Sequence, residues 1–323
     1  VWGAPNLRPP ADREDTDLQR LVAAIDAAHA DLGGGVAARP WWPELLQVLP
    51  ASAVAEQVHA AEPGVALGLV DMPASQRQDP WVWNLKQEGN LLVLGTTGSG
   101  KTSLLRSITD ALAIKYEPRA LHLYAVDCAG GGLAAVQKVP HCGACLLADE
   151  TERIARLVQF LRALIDRRRA SVVRSGATFQ DSGEPLVVVL LDNYSGFVSA
   201  MEKVDFGEHV DALPRLIADG PSVGVHFAIT ADRRGAVPGA VSAIVGARIV
   251  LRMADEDEYR NAGIAREAFE GARLPPGRGF LGNGLEVQCA VLGDSGEADE
   301  QARVLAATGV ALKRRFGEVL IPA

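Results

Sequence analysis

Short apolar runs and amphipathic stretches alternate through the middle of the chain. A continuous apolar run predicts a buried strand, and apolar residues that recur every three or four positions predict a helix. The runs predict strands over residues 90–94, 121–126, 186–191, 223–230 and 247–253. The periodic stretches predict helices over residues 16–32, 102–116 and 149–169. This alternation predicts an α/β fold in which helices cover both faces of a mostly parallel sheet.

The two ends of the chain lie outside this alternation. Residues 1–50 combine the first helix with an extended stretch rich in Pro and Trp, and one further helix is predicted within 296–323. We therefore divide the chain into an N-terminal linker over 1–50, a main domain over 51–295 and a C-terminal linker helix over 296–323. Residues 17–24 resemble 299–307. The likeness arises either by chance between Ala-rich helices or because the chain is one unit of a tandem array.

Composition narrows the function classes. The 323 residues are 48% apolar, which is enough for a large buried core. With 32 Lys and Arg against 40 Asp and Glu, the net charge is −8. This acidity argues against non-specific duplex binding, which depends on cationic contacts. No signal peptide is recognised, and the longest apolar run, 186–191, is too short to span a bilayer. We expect a protein of the reducing cytosol.

Cys142 and Cys145 have the C-x-x-C spacing that zinc sites and thiol redox motifs share. A metal site would need a second ligand pair, and His141 and Cys289 do not supply convincing spacing. A redox motif is expected at a helix start in a thioredoxin-like pattern, which does not surround these residues. We interpret the pair as small residues beside a strand.

A glycine-rich segment joins the first core strand to the helix that follows it. It matches G-x-x-x-x-G-K-[ST], and the predicted nucleotide-binding residues are Gly95, Thr96, Thr97, Gly98, Ser99, Gly100, Lys101, Thr102 and Ser103. The glycines let backbone N–H groups surround phosphates, and the helix N-terminus adds a favourable dipole. Lys101 is expected to reach the β- and γ-phosphates, and the Thr102 hydroxyl to ligate Mg²⁺. The segment predicts a site for ATP and Mg²⁺.

A carboxylate follows the most apolar strand. We expect Asp192 to hold Mg²⁺ through water and to act with Lys101 in catalysis. In hydrolytic ATPases with this loop an acid usually comes next, but Asn193 stands here, and an amide cannot act as a base. Thr230 ends the strand 223–230, where it is either a γ-phosphate sensor or an ordinary strand-end threonine. The sequence predicts nucleotide binding and leaves hydrolysis open.

Two further groups of residues leave alternatives open. Several arginines are either contacts to the phosphate of a neighbouring subunit or ordinary surface and ion-paired residues; they are Arg233, Arg234, Arg248, Arg252 and Arg278. Four apolar residues either fill a peptide-binding groove, on this module or its neighbour, or pack as core; they are Trp41, Trp42, Leu45 and Leu46.

An ordered set of motifs carries a resemblance to a known family. The set comprises Gly68-Leu69-Val70-Asp71-Met72-Pro73-Ala74-Ser75-Gln76-Arg77-Gln78, the triplet Gly130-Gly131-Gly132 after Asp127, and segments 224–231, 248–252 and 276–279. It resembles the FtsK/SpoIIIE ATPases and, more narrowly, the EccC ATPase of actinobacterial type VII secretion systems. The resemblance covers residues 40–292 and implies a RecA-like P-loop NTPase fold.

The resemblance also implies a setting. EccC-like proteins carry a membrane anchor and three FtsK-type ATPase modules, so the chain is expected to be an excerpt that corresponds to the middle module. The implied partners are neighbouring modules of the same polypeptide, secreted WXG-type helical proteins and a membrane secretion complex. The implied location is the cytoplasm, tethered to the cell membrane through the full-length protein. Asn193, and Asp232 where FtsK translocases usually have Gln, depart from the family's catalytic pattern and imply weak or absent hydrolysis.

Two other functions remain alternatives. In a peptide-recognition module the nucleotide would be structural and an apolar pocket would receive the C-terminal signal of a substrate. A DNA translocase of the FtsK type would need a basic pore-lining stripe, against which the acidic balance argues. DNA is therefore not an expected partner.

Overall fold

The computed structural model describes residues 16–32, 42–57 and 63–322. The chain divides into two compact units, Val1–Trp42 and Pro43–Ala323. In the first unit, helix α1 (Asp17–Asp31) begins with a capping box in which the Thr16 hydroxyl accepts from Gln19 N at 3.2 Å. No residue of α1 is buried.

The second unit is built on one mixed sheet. Its strands are β1 (Leu49–Pro50), β2 (Val65–Met72), β3 (Arg77–Trp83), β4 (Leu91–Leu94), β5 (Leu121–Asp127), β6 (Cys142–Leu147), β7 (Leu186–Asp192), β8 (Val225–Ala231), β9 (Ala247–Leu251), β10 (Arg278–Leu281) and β11 (Glu286–Val291). Their order is β3-β2-β11-β10-β9-β4-β8-β7-β5-β6, and β1 pairs with β11. From β9 to β6 neighbouring strands are parallel, whereas from β3 to β9 they are antiparallel.

Helices cover both faces of this sheet, as predicted. They are α2 (Ala51–Ala55), α3 (Leu85–Glu88), α4 (Lys101–Lys115), α5 (Thr151–Ser175), α6 (Tyr194–Met201), α7 (Glu208–Asp219), α8 (Gly239–Ile244), α9 (Glu256–Asn261), α10 (Arg266–Phe269) and α11 (Ala298–Phe316). Strand β7 shows why two faces are buried: Val187 and Val189 join the apolar cluster that contains α5, while Val188 and Leu190 join the one that contains α4. Alternate residues of a strand point to opposite faces, so a strand covered on both sides is apolar throughout.

Strands β4, β5, β7, β8 and β9 of the parallel half match the predicted strands closely. The edge strand β6 and the antiparallel half were not predicted as strands. Gly68 interrupts β2, Pro80 interrupts β3 and Gln288 interrupts β11, and β10 is only 4 residues long, so these strands lack a long continuous apolar run. Their pairing is long-range, since Val70 of β2 lies opposite Val287 of β11. Sequence periodicity does not report a partner so far along the chain.

Helix α11 occupies the segment that we separated as a C-terminal linker. In the structure its Leu305 and Leu312 are buried in the apolar cluster that contains α4. The approach is close at Gly309, where an added Cβ would lie 2.3 Å from the Lys138 carbonyl oxygen. The helix therefore packs as part of the second unit. Across the stretches that the structure describes, no helix is both long and apolar enough to cross a membrane.

Candidate functional site

The candidate site lies where the parallel strands end. Asp127 of β5 and Asp192 of β7 are paired positions at adjacent strand ends, and Leu94 of β4 is paired with Ala231 of β8. In a parallel sheet the carboxyl ends of the strands share one edge, where ligands of α/β proteins commonly bind. Residues far apart in sequence meet there.

The glycine-rich segment forms a tight loop between β4 and α4. Gly98 and Gly100 have φ angles of 74° and 106°, a region that residues with a Cβ rarely adopt. The loop is fixed to the neighbouring strands because Gly95 N donates to the Ala231 carbonyl at 3.1 Å and Thr96 N to the Arg252 carbonyl at 2.9 Å. The backbone conformation of the loop is thus held in place by the sheet.

Lys101 is the first residue of α4, and it is 9% exposed. Its Nζ donates to the carbonyl oxygens of Gly95 at 2.6 Å and Thr96 at 3.0 Å. A third bond, 2.9 Å long, joins Nζ to Oδ1 of Asp232. The ammonium therefore sits across the mouth of the loop with its three N–H groups in use.

Asp192 is fully buried between two hydroxyl groups. Thr102 Oγ1 donates to Asp192 Oδ2, and Thr230 Oγ1 donates to Asp192 Oδ1, both at 2.6 Å. Burial raises the pKa of Asp192 above its ordinary value, although both hydroxyl bonds oppose the rise. The structure thus brings together the three side chains predicted for magnesium binding and sensing, and Thr230 contacts the carboxylate directly.

Asn193 caps a helix. It has φ 72° and ψ 88°, its Oδ1 accepts from Gly196 N at 3.1 Å, and its Nδ2 donates to the Cys128 carbonyl at 3.1 Å. Asn is among the residues that tolerate this left-handed backbone and favour helix N-caps. Its amide is held by backbone groups on both sides and has no proton-accepting base to offer.

The glycine triplet forms a turn around the carboxylate of Asp127. Asp127 Oδ1 accepts from the backbone N–H groups of Ala129, Gly130 and Gly131 at 3.0, 3.2 and 3.1 Å. Asp127 Oδ2 accepts from Leu133 N at 2.7 Å. A strand-end Asp followed by glycines is the sequence signal, since glycines permit the positive φ angles of this turn. The turn borders the site because a Cβ at Gly132 would lie 2.6 Å from Thr102 Cγ2.

The remaining predicted loop residues have different surroundings. Ser99 is fully buried, its Oγ has no hydrogen-bond partner in the described structure, and a Cβ at Gly95 would lie 2.4 Å from it. Thr97 is exposed. Ser103 Oγ accepts from Gln301 Nε2 of α11 at 3.2 Å. In this structure Ser103 therefore links α4 to α11.

The arginines separate into two groups. Arg248 and Arg278 are structural: Arg248 donates to the carbonyls of Ala262 and Ser242, and Arg278 is held by four acceptors. Arg234 donates to the Val237 carbonyl at 3.0 Å, while Arg233 is exposed. Arg252 lies beside the glycine loop, with its NH2 3.4 Å from the Gly98 carbonyl oxygen. It is the candidate of this group that contacts the loop.

The other predicted positions lie away from the loop. Cys142 and Cys145 belong to β6, and burial raises the pKa of their thiols to about 12 and about 11, which keeps both protonated. Within 16–32, 42–57 and 63–322, no cluster of three His, Cys, Asp or Glu residues could hold a metal ion. Leu45 is buried and Leu46 exposed, Trp42 is 55% exposed, and Trp41 lies outside the described residues.

The site fits a magnesium nucleotide on its own geometry. The first backbone N–H groups of a helix have no acceptor within it, and here they face the mouth of a glycine loop that carries a lysine. Oxygen donors are what Mg²⁺ prefers, and Thr102 and Asp192 provide a hydroxyl and a carboxylate 2.6 Å apart. Lys101, Thr102 and Asp192 are therefore suited to hold Mg-ATP.

Comparison with known proteins agrees with this geometry. Residues 55–279, more than half of the chain, match the model of the FtsK/SpoIIIE family. The chain belongs to the FtsK/SpoIIIE family. This confirms the family resemblance and the α/β fold predicted from the sequence.

Two curated relatives are secretion system proteins. The chain is 25% identical over 260 residues to the type VII secretion system protein EssC of Staphylococcus aureus, which covers 76% of the chain and 17% of EssC. It is 28% identical over 233 residues to the ESX-5 secretion system protein EccC5 of Mycobacterium tuberculosis. This match covers 67% of the chain and 16% of EccC5. The chain thus spans about a sixth of the length of these relatives.

Three solved structures share the fold of this chain. The structure of EssC (ATPases 2 and 3) from Geobacillus thermodenitrificans has a TM-score of 0.75 at 21% identity and covers 87% of this chain and 54% of its own. Thermomonospora curvata EccC (ATPases 2 and 3), in complex with a signal sequence peptide, has a TM-score of 0.75 at 22% identity. The match covers 87% of this chain and 55% of the EccC chain. The conjugation coupling protein TcpA, solved with ATPγS, has a TM-score of 0.59 at 18% identity. The match covers 82% of this chain and 75% of the TcpA chain.

Proposed function

We propose that this chain is an ATP-binding module of a type VII secretion ATPase and that it hydrolyses ATP slowly or not at all. The observation that carries the proposal is the assembly of Lys101 and the Thr102–Asp192–Thr230 chain of hydrogen bonds at one loop mouth. The curated relatives supply the secretion setting, since EssC and EccC5 are secretion system proteins.

The binding step assigns a role to each residue. Backbone N–H groups of 95–103 surround the phosphates, Lys101 neutralises their charge, and Thr102 with Asp192 holds Mg²⁺. When bound, Mg²⁺ supplies charge neutralisation at the phosphates. Thr230, bonded both to Asp192 and to Asn193 N at 2.8 Å, connects the Mg²⁺ position to the start of α6.

The proposal of slow turnover rests on Asn193 and on the two buried carboxylates Asp127 and Asp192. The exposed carboxylate of the site, Asp232, is bonded to Lys101. A general base must be able to accept a proton from the attacking water. Asn193 is an amide bonded to backbone groups, Asp127 is bonded to four backbone N–H groups, and Asp192 is surrounded by hydroxyls. We propose that bound ATP stabilises the module or regulates a neighbour and does not itself drive transport.

The wider function rests on the relatives. We propose that the module lies in the middle of a tandem array, on the cytoplasmic side of the cell membrane to which the full-length protein is anchored. Its partners would be neighbouring modules and small WXG-type helical substrates with a C-terminal signal. A structure of EccC ATPases 2 and 3 with a signal sequence peptide supports the proposal that the substrate signal is a partner.

The decisive experiment combines Mg-ATP affinity with single-turnover hydrolysis for the wild type, Lys101→Ala and the control Lys203→Ala. Lys203 is exposed in the turn between α6 and α7, so its loss removes the same charge away from the loop. We expect micromolar or tighter binding that only Lys101→Ala loses, together with little turnover. Equal affinity in wild type and Lys101→Ala would refute the assigned site, and rapid single turnover would refute the slow-hydrolysis proposal.

A second assay separates secretion from DNA translocation. Duplex DNA and a peptide with the C-terminal sequence of a WXG-type protein are each added to the wild type, and binding and ATP turnover are measured. Peptide binding without any response to DNA supports the proposal. Turnover that duplex DNA stimulates would instead favour a translocase.

A further inference from the structure

Asp232 places a negative charge beside the Lys101 ammonium. It directly follows β8, and its Oδ1 accepts from Lys101 Nζ at 2.9 Å. The two partners differ in exposure, with side chains 10% exposed for Lys101 and 53% for Asp232. The lysine end of the pair is thus fixed inside the loop, and the carboxylate reaches in from solvent.

The coordination of Lys101 makes this pair competitive with a nucleotide. An ammonium has three N–H donors, and here they are taken by the Gly95 carbonyl, the Thr96 carbonyl and Asp232. The two carbonyls belong to the loop itself. A phosphate that bonds to Nζ must therefore displace one of these acceptors, and Asp232 is the exposed one that a side-chain rotation can remove.

We propose that Asp232 sets the nucleotide preference of this module by acting as a built-in competitor of the γ-phosphate. The proposal rests on the function proposed above. A diphosphate brings only its β-phosphate to Lys101, so it adds no charge at the γ-phosphate position beside Asp232. A triphosphate needs the same ammonium and also brings two negative charges close to the carboxylate, so ATP binding must break the pair.

The chemistry fixes the sign of the effect. A carboxylate and a phosphate oxygen at close range repel each other, and the repulsion is stronger near a protein surface than in bulk water. Replacing Asp232 by Asn removes the charge and keeps the shape. We therefore expect Asp232→Asn to raise the ATP affinity relative to the ADP affinity by about tenfold, and added salt to shrink the difference.

The test is calorimetric titration of Mg-ATP and Mg-ADP into the whole chain as wild type, Asp232→Asn, Asp232→Glu and Asp166→Asn. Asp166 is exposed on α5 and provides the same chemical change elsewhere. The ratio of the ATP and ADP dissociation constants is the readout, because a merely structural role of Asp232 would move both constants together. We expect the ratio to shift in Asp232→Asn, to be largely restored in Asp232→Glu and to stay at the wild-type value in Asp166→Asn.

The outcomes also separate this inference from the proposed function. If the wild type binds both nucleotides and the ratio is the same in Asp232→Asn, the inference is wrong while the ATP-binding function stands. If Asp232→Asn weakens ATP relative to ADP, the carboxylate assists the γ-phosphate and the inference is again wrong. If the wild type binds neither nucleotide, the proposed function fails, and the inference falls with it.

Discussion

Arg278 offers a sharp test of whether an arginine near the end of the family match is structural or reaches a neighbour's phosphate. It is 7% exposed and is held by four acceptors. Its Nε donates to Gln288 Oε1 at 2.8 Å and its NH1 to Glu286 Oε1 at 2.6 Å. Its NH2 donates to the carbonyls of Leu45 and Leu46 at 2.7 and 3.1 Å. The guanidinium thereby ties residues 45–46 to β10 and β11.

The expected loss in the free energy of unfolding follows from the acceptors that lose their donor when Arg278 is replaced. Arg278→Met keeps the length of the side chain and removes every donor. The Glu286 side chain is 35% exposed, so water can solvate it after the change, and we give that bond little weight. The two carbonyls and the Gln288 amide oxygen then lose their partner, at about 1 kcal/mol each. We expect a loss of about 3 kcal/mol in the free energy of unfolding.

The assay is equilibrium unfolding in urea, followed by tryptophan fluorescence, together with Mg-ATP affinity. At a slope of about 3 kcal/mol per molar urea, the midpoint should fall by about 1 M. The urea midpoint of Arg278→Lys should lie between those of the wild type and Arg278→Met, since an ammonium keeps the charge but lacks the planar shape of the guanidinium. ATP affinity should stay at the wild-type value in all variants.

The control is Arg266→Met. Arg266 pairs with Glu270 at 3.1 Å in an i,i+4 arrangement whose side chains are 60% and 62% exposed, so its loss should hardly move the midpoint. A wild-type urea midpoint for Arg278→Met, with reduced ATP turnover in the assembled protein, would refute the structural role. It would identify Arg278 as a residue that acts on a neighbouring site.

Three further predictions concern the site and the core. Asp192→Asn should abolish Mg²⁺-dependent nucleotide binding. Its melting temperature without nucleotide should be unchanged or higher, because a buried carboxylate with a raised pKa is costly at neutral pH. A large drop in that temperature would contradict this reasoning. Asn193→Gly should be more stable in urea than Asn193→Ala, the reverse of their helix propensities, because both lose the cap but only Ala places a Cβ at φ 72°. Burial lowers the pKa of His226 to about 4, so stability should be full above pH 6.5 and fall toward pH 4, by on the order of 3 kcal/mol. His226→Gln should flatten that pH dependence of the urea midpoint, and an unchanged profile would show that other groups control it.

The site shows where sequence reasoning stopped. The loop motif and the strand-end aspartate identified Lys101, Thr102 and Asp192 as candidates, because spacing and residue type encode their local surroundings. For Thr230 the sequence left two alternatives, a γ-phosphate sensor and an ordinary strand-end threonine, and it did not predict the contact with Asp192. A strand-end threonine has the same local pattern whether or not a carboxylate lies beside it. The fold placed Thr230 Oγ1 2.6 Å from that carboxylate because β7 and β8 are adjacent.

The sequence by itself determined the parallel strands β4, β5, β7, β8 and β9, since strands buried on both faces must be apolar throughout and helices that cover them must be amphipathic. It did not predict β6, the parallel strand at the edge of the sheet. Tertiary structure alone decided the antiparallel half, the structural role of Arg278 and the pairing of Asp232 with Lys101. Those two residues are 131 positions apart, and the sequence carries no signal for which acceptor meets an ammonium across that distance. Local sequence patterns indicate periodicity and backbone preference. Which residues contact each other depends instead on the order of the strands in the sheet.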